Sequence, residues 1–150
     1  MIGFTGTQDG MMQQQKDKLK ELLSIERLSH PNFHHGDCIG ADEEACLIAT
    51  ELGFNLHCHP PNNPSKRAFV KSAVYAEEKP YLDRNRDIVD SCYKLYATPK
   101  DFKEELRSGT WATIRYARKN NKQVMIIYPD GTDHMNYIQG DCYEQSGITN

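Results

Sequence analysis

Arg107-Ser108-Gly109-Thr110 stands directly in front of an amphipathic run that reads as about three turns of helix. A guanidinium there can clamp a phosphate in bidentate fashion. The free N–H groups of the helix's first turn, with roughly half a unit of positive charge at that end, can hold the same anion. Serine is also a plain N-cap, so an ordinary helix start remains an equally valid reading of these four residues. Two further loops share the composition: Gly6-Thr7-Gln8-Asp9-Gly10 and Gly36-Asp37-Cys38-Ile39-Gly40-Ala41-Asp42. Glycine lets the backbone approach a ligand closely, and each loop leads into a helix. Three such loops at one sheet edge point to an anion cradle more strongly than any one alone.

Other residue types offer different chemistry. Tyr81-Leu82-Asp83-Arg84-Asn85-Arg86-Asp87-Ile88-Val89-Asp90 sets two arginines and three aspartates on one short helix. Asp83 can reach Arg86 and Asp87, and Arg86 can reach Asp90, at helical spacing. His57-Cys58-His59, with His34, His35 and Cys38 upstream, has the donor types of a metal site. Alternate strand residues face opposite ways, however, and zinc wants four converging ligands. No metal is therefore expected. His59, beside Pro60, is placed to hydrogen-bond a ligand at a strand end. Trp111 reads as core packing or as a platform for a base.

Short strands and helices must position these groups. Residues 2–5 and 124–128 are apolar without alternation, as in strands covered on both faces. Further strands are expected over 33–36, 54–59 and 93–97. Helices are expected over 11–29, 41–52, 81–91 and 110–120, the first with Met12, Leu19, Leu22, Leu23 and Leu28 on its inner face. Region 60–80 reads as an insertion or lid with room for one helix near 66–77. The resulting fold class is α/β: a Rossmann-like parallel sheet of about five strands with helices on both faces. One domain spans 1–131, and 132–150 form a tail that is either loose or docked on a partner subunit. Ligands of such sheets bind at the carboxyl ends of the strands.

Bulk properties narrow the classes. The chain has 150 residues, 26% of them charged, and a formal net charge of −3. That balance argues against general nucleic-acid binding. No stretch approaches the ~18 apolar residues of a membrane span, and no signal-peptide pattern opens the chain. Five scattered cysteines without a C-x-x-C pair fit reduced thiols, so a cytoplasmic location is expected.

Four ordered segments resemble the SLOG superfamily, the Rossmann-like group that includes the DNA-processing protein DprA and the cytokinin-activating LOG phosphoribohydrolases. IGFTGT resembles the opening strand and turn. HHGDCIGAD resembles the "SGGA-x-GID"-like second loop through Gly36, Gly40 and Asp42. YLDRNRDIVD resembles the "RNR-I" helix, and RSGTWATIRYA the "SGSL-x-TA" helix start through Ser108, Gly109, Thr110 and Thr113. The resemblance implies a nucleotide-type ligand, its phosphate on Ser108-Gly109-Thr110 and its base or ribose near Thr5 to Gln8 and the Gly36–Asp42 loop. It also implies a homodimer or higher homo-oligomer. The LOG element "PGG-x-GT-x-x-E" carries a glutamate for glycosidic cleavage, whereas here Gly109-Thr110 is followed by Trp111-Ala112-Thr113.

The expected function is binding of a nucleotide or ADP-ribose-like metabolite, as a sensor or sequestering protein of the stand-alone kind found in bacteria and phages. The expected ligand contacts are Thr5, Gly6, Thr7, Gln8, Gly36, Asp37, Gly40, Ala41, Asp42, His59, Arg84, Asn85, Arg107, Ser108, Gly109 and Thr110. No cofactor is expected. The alternative is an N-glycosidase, in which Asp42 or Asp87 would serve as the acid or nucleophile.

Overall fold

Apolar residues without alternation need cover on both sides of a sheet, and the computed structural model, which describes residues 1–136, provides it. The strands are β1 (Ile2–Gly6), β2 (Asn32–His35), β3 (Asn55–Cys58), β4 (Val74–Tyr75), β5 (Lys94–Thr98), β6 (Gln123–Ile127) and β7 (Asp133–Asn136). The helices are α1 (Gln13–Glu26), α2 (Ala41–Glu51), α3 (Tyr81–Ser91) and α4 (Gly109–Lys119). Ile2, Phe4, Phe33, Leu56 and Tyr96 pack with Leu19 and Leu23 of α1 and Ala45 and Ala49 of α2. On the other face, Leu95, Ala97, Val124 and Ile126 pack with Ile88 of α3 and Ile114 of α4. Leu19 and Leu23 are fully buried, and each such side chain stabilises the fold by about 2 kcal/mol.

Strand order is β4-β3-β2-β1-β5-β6-β7, parallel throughout except for the antiparallel β6–β7 pair. The chain winds outward from β1 in both directions, so the order reverses between β1 and β5, where a crevice opens at the carboxyl edge.

The Rossmann-like expectation agrees with this architecture, but the sheet has seven strands rather than about five. Both additions are edge strands. β4 lies inside the segment expected to be an insertion, with Val74 and Tyr75 both about half exposed. β7 lies inside the expected tail and pairs Ile127 with Asp133 and Val124 with Asn136. Two residues are too few to show a period, and Asp-His-Met-Asn has no apolar face. The rest of that tail lies outside the described residues.

Two other expectations change. Helix α1 buries Gln15, Leu19 and Leu23 behind Met11, whereas Met12 and Leu28 are exposed. No helix forms near 66–77. A 3-10 turn at Pro64–Lys66 gives way to extended chain, because that chain is bonded across the loop after β2. Arg67 Nε donates to Asp37 Oδ2 at 2.8 Å, Val70 N donates to Asp37 Oδ1 at 2.8 Å, and Ala68 N donates to the Asp37 carbonyl. Segment 60–79 is therefore a docked wall, not a free lid.

Gly40 joins the first two glycine loops. Its φ is +86°, and a Cβ there would overlap the Gln8 carbonyl. We expect Gly40→Ala to lower the unfolding free energy by about 2 kcal/mol or more, read as a lower urea midpoint at unchanged slope. Wild-type stability in that variant would mean the two loops do not press together.

Candidate functional site

The loop after β1 and the first turn of α4 enclose a cavity of about 730 Å³. Gly6, Thr7, Gln8 and Asp9 form one wall, Lys100 and residues 105–112 another, and Tyr81 and Leu82 a third. Ser108 caps α4, its Oγ accepting from Trp111 N at 3.2 Å. The amides of Gly109 and Thr110 belong to the first turn, which a helix cannot satisfy internally. They sit at its positive end and at the cavity. Gly109 sits in close approach to Tyr81, so that a Cβ there would displace the Tyr81 hydroxyl. Arg107 lines the cavity from an exposed position. Lys100 does so too, paired with Asp9 at 3.1 Å. Trp111 belongs to the α3/α4 core and is only 4% exposed, yet it also reaches the cavity wall.

Of the residues singled out from sequence, Gly6, Thr7, Gln8, Arg107, Ser108, Gly109 and Thr110 meet in this cavity. The remainder lie outside it, His59, Asn85 and Asp87 in the lining of other cavities and the others in the surrounding framework. Thr5 is buried within β1. The Thr7 carbonyl accepts from Ala41 N, tying the first loop to the start of α2. Asp42 is buried, and its Oδ2 accepts from Gly36 N at 3.2 Å and Cys38 N at 3.3 Å. Arg84 is 2% exposed. Its NH1 donates to the Gly36 and His59 carbonyls, and its Nε to Asn85 Oδ1 at 2.7 Å. Asp37 adopts a left-handed φ of 57° and holds Arg67. Asp42 and Asp87 do not converge. Asp87 pairs with Lys79 at 2.6 Å, beside His59 in a separate surface cavity. The expected ion-pair ladder on α3 is replaced by other partners: Asp90 accepts from the Tyr116 hydroxyl, and Arg86 lies over the Tyr116 ring.

Thr113, at the position of the LOG glutamate, donates its hydroxyl to the Gly109 carbonyl at 2.9 Å. It is buried and turned back on its own helix. Two acidic residues, Asp9 and Glu105, do line the cavity, the Asp9 carboxylate paired with Lys100.

The histidine and cysteine donors divide between the two faces of the sheet. His34 stacks on His57, and its Nδ1 lies 2.8 Å from His59 Nε2. On the opposite face, His35, Asp37 and Cys58 bring donor atoms within 4.8 Å of one another. Those donors are already engaged. His35 Nε2 bonds Ser72, His35 Nδ1 accepts from Asp37 N, and the Asp37 carboxylate holds Arg67 and Val70 N. Burial pushes the Cys58 thiol up to about 12, far from the thiolate a metal prefers.

Sequence reasoning overlooked Tyr81, Lys100, Asp9 and Glu105 as cavity residues, and Gln15 as a strut. Gln15 is 1% exposed and donates from Nε2 to the carbonyls of Pro99 and Ile127, fastening α1 beneath the connection that leads to α4. A signal existed for it. Met11, Gln15, Leu19 and Leu23 recur every four residues along one helix face.

A parallel sheet with a cavity where strand order reverses defines a Rossmann-like α/β domain. The same fold recurs in solved structures of low sequence identity. A molybdenum cofactor binding protein from Rippkaea orientalis superposes with a TM-score of 0.65 at 17% identity, over 99% of this chain and 96% of that one. The structural-genomics target TM1055 gives 0.62 at 14% identity, over 82% and 71%. DNA processing protein A from Helicobacter pylori, described with a single-stranded DNA binding mode, gives 0.57 at 14% identity, over 97% and 71%. No family model and no curated protein matches the chain.

The buried histidines impose a pH dependence. Burial and the neighbouring His59 and His57 press His34 down to about 3, and burial with the Arg84 guanidinium takes His59 to about 4 against the pull of Asp87. Burial likewise takes His35 to about 4, against the pull of Asp37. Each folded value lies below the ordinary 6.5, so the unfolded chain takes up protons that the fold refuses. This stability is complete above pH 6.5 and is lost as pH falls toward 4. Asp42 acts in the opposite sense, since burial raises it to about 6 from 3.8 and the fold gains as Asp42 protonates. Three groups against one leave a net loss. We expect urea-unfolding free energy to fall steadily from pH 6.5 to pH 4. His34→Gln should flatten that slope by about one proton's worth, ~1.4 kcal/mol per pH unit. An unchanged slope in the variant would mean His34 is not buried neutral.

Proposed function

We propose that the chain binds a nucleotide or ADP-ribose-like metabolite in the cavity between the β1 loop and α4, as a sensor or sequestering protein for a nucleotide-derived signal. The single observation that supports this reading is the composition of that cavity. It is about 730 Å³, within the usual range of small-molecule sites. It offers a capped helix start, two cations in Arg107 and Lys100, and a glycine-lined loop facing them. A phosphate would accept from the Gly109 and Thr110 amides and from the Arg107 guanidinium, while Tyr81 and Leu82 supply apolar surface for the rest of the molecule. The Rippkaea orientalis protein of the same fold is a molybdenum cofactor binding protein, and the Helicobacter pylori one binds single-stranded DNA.

Hydrolysis of an N-glycosidic bond is the second reading, favoured by the acidic residues Asp9 and Glu105 in the cavity lining. Asp42 is poorly suited to it, being enclosed and committed to backbone amides. Thr113 has no acid to offer.

Calorimetry with ribonucleoside monophosphates, ADP-ribose and NAD tests both. We expect saturable binding that Arg107→Ala weakens by about tenfold to a hundredfold, the loss of charge-assisted hydrogen bonds. Intact ligand should be recovered after prolonged incubation. Free base among the products would replace the sensor reading with the hydrolytic one, and absence of binding across the panel would remove both.

A further inference from the structure

A second, smaller chamber of about 230 Å³ adjoins the main cavity. Gln8 and Tyr81 line both and so form the partition between them. The far wall of the small chamber comes from Asn62, Asn63, Ser65 and Lys66, none of which belongs to the glycine loops. We propose that this chamber receives the nucleobase of the ligand whose phosphate rests at the start of α4. The inference depends on the nucleotide reading above and adds the residues that select the base.

The chamber is built before any ligand arrives. Asn62 N donates to the Lys79 carbonyl and Lys79 N to the Pro60 carbonyl, closing the base of the segment. Ile39 N donates to the Lys66 carbonyl, and the Arg67–Asp37 pair pins the far end. Asn63 Oδ1 accepts from Ser65 N, which sets the turn. The wall is thus fastened to the loop after β2, and its rigidity follows from bonds already made.

Its chemistry differs from that of the main cavity. Lys66 is the one cation here among the described residues, and its Nζ is held by Gln8 Oε1 at 3.2 Å. What remains is neutral: the carboxamides of Asn62 and Asn63, the Ser65 hydroxyl, the Cys38 thiol, Pro61 and the Tyr81 ring. A second phosphate would find little to neutralise it. A planar heterocycle finds a face to stack on and amides that both donate and accept along its edge, the pairing that asparagine makes with base edges elsewhere. Tyr81 is braced for the role. Its hydroxyl abuts Gly109, and the Arg84 guanidinium lies 5.0 Å from its ring centroid, on a helix anchored to β2 and β3. A ligand with its anion at Gly109 must pass this ring to enter the smaller chamber.

Binding of ribose 5-phosphate compared with the four ribonucleoside 5′-monophosphates isolates the contribution of the base. At least one nucleotide should bind about tenfold or more tightly than ribose 5-phosphate, the size of one base stack. Asn62→Ala and Ser65→Ala, which take a carboxamide and the hydroxyl from exposed positions, should erase that margin and leave ribose 5-phosphate binding unchanged. Equal affinity for the sugar phosphate and all four nucleotides overturns the base chamber while sparing the phosphate site. A margin that survives both substitutions also overturns it. If neither the sugar phosphate nor any nucleotide binds, the nucleotide reading falls and takes this inference with it.

Discussion

Arg84 places a cation under the carboxyl edge of the sheet at 2% exposure, and burying a charge there is tolerable only if nearly every donor is matched. NH1 meets the carbonyls at the ends of β2 and β3, Nε meets Asn85, and NH2 reaches Cys38 Sγ at 3.5 Å. The Tyr81 ring covers one side, and the Asp42 carboxyl stands beyond the Gly36 backbone. Much of the edge depends on this one group. It fixes the second glycine loop, which through Gly40 and Ala41 fixes the first. It also sets the start of α3, and with it the partition at Tyr81. The RNR-like segment therefore acts from below, by holding the surfaces that enclose the cavity.

The legible parts of this chain were those governed by local rules. Strands with apolar residues on both faces, glycine-hydroxyl turns and helix starts all have short-range signatures, and these set out the five central strands, the four helices and the rim of the main cavity. What escaped depends on neighbours distant in sequence. β4 and β7 are strands because β3 and β6 offer them an edge. Segment 66–77 is extended because Asp37, some 30 residues earlier, takes its donors. Arg84 lies buried beneath the edge while Asn85 lines a small neighbouring cavity, a division set by the packing of α3 on the sheet and without a local signature.

The cavity balances Arg107 and Lys100 against Asp9 and Glu105, so its bias toward an anion comes from the start of α4. The net charge is −3, yet Arg107, Lys100 and the start of α4 share one wall. Low overall charge discourages indiscriminate attachment to polyanions, and a local focus of backbone dipoles still favours a small anion. Recognition in such an arrangement comes from the shape of the enclosure more than from attraction at a distance.

The sheet's topology carries a consequence for synthesis. β1 is made first and lies at the centre, but its neighbour β5 is residues 94–98, and Ile2 pairs with Lys94. A nascent chain must therefore carry Ile2 and Phe4 unmatched on one side until residues 94–98 have left the ribosome. Closing so long a loop is slow. Residues 2–5 are thus the segment that a chaperone would have most reason to hold, and the moment β5 emerges is when the interior can first shut.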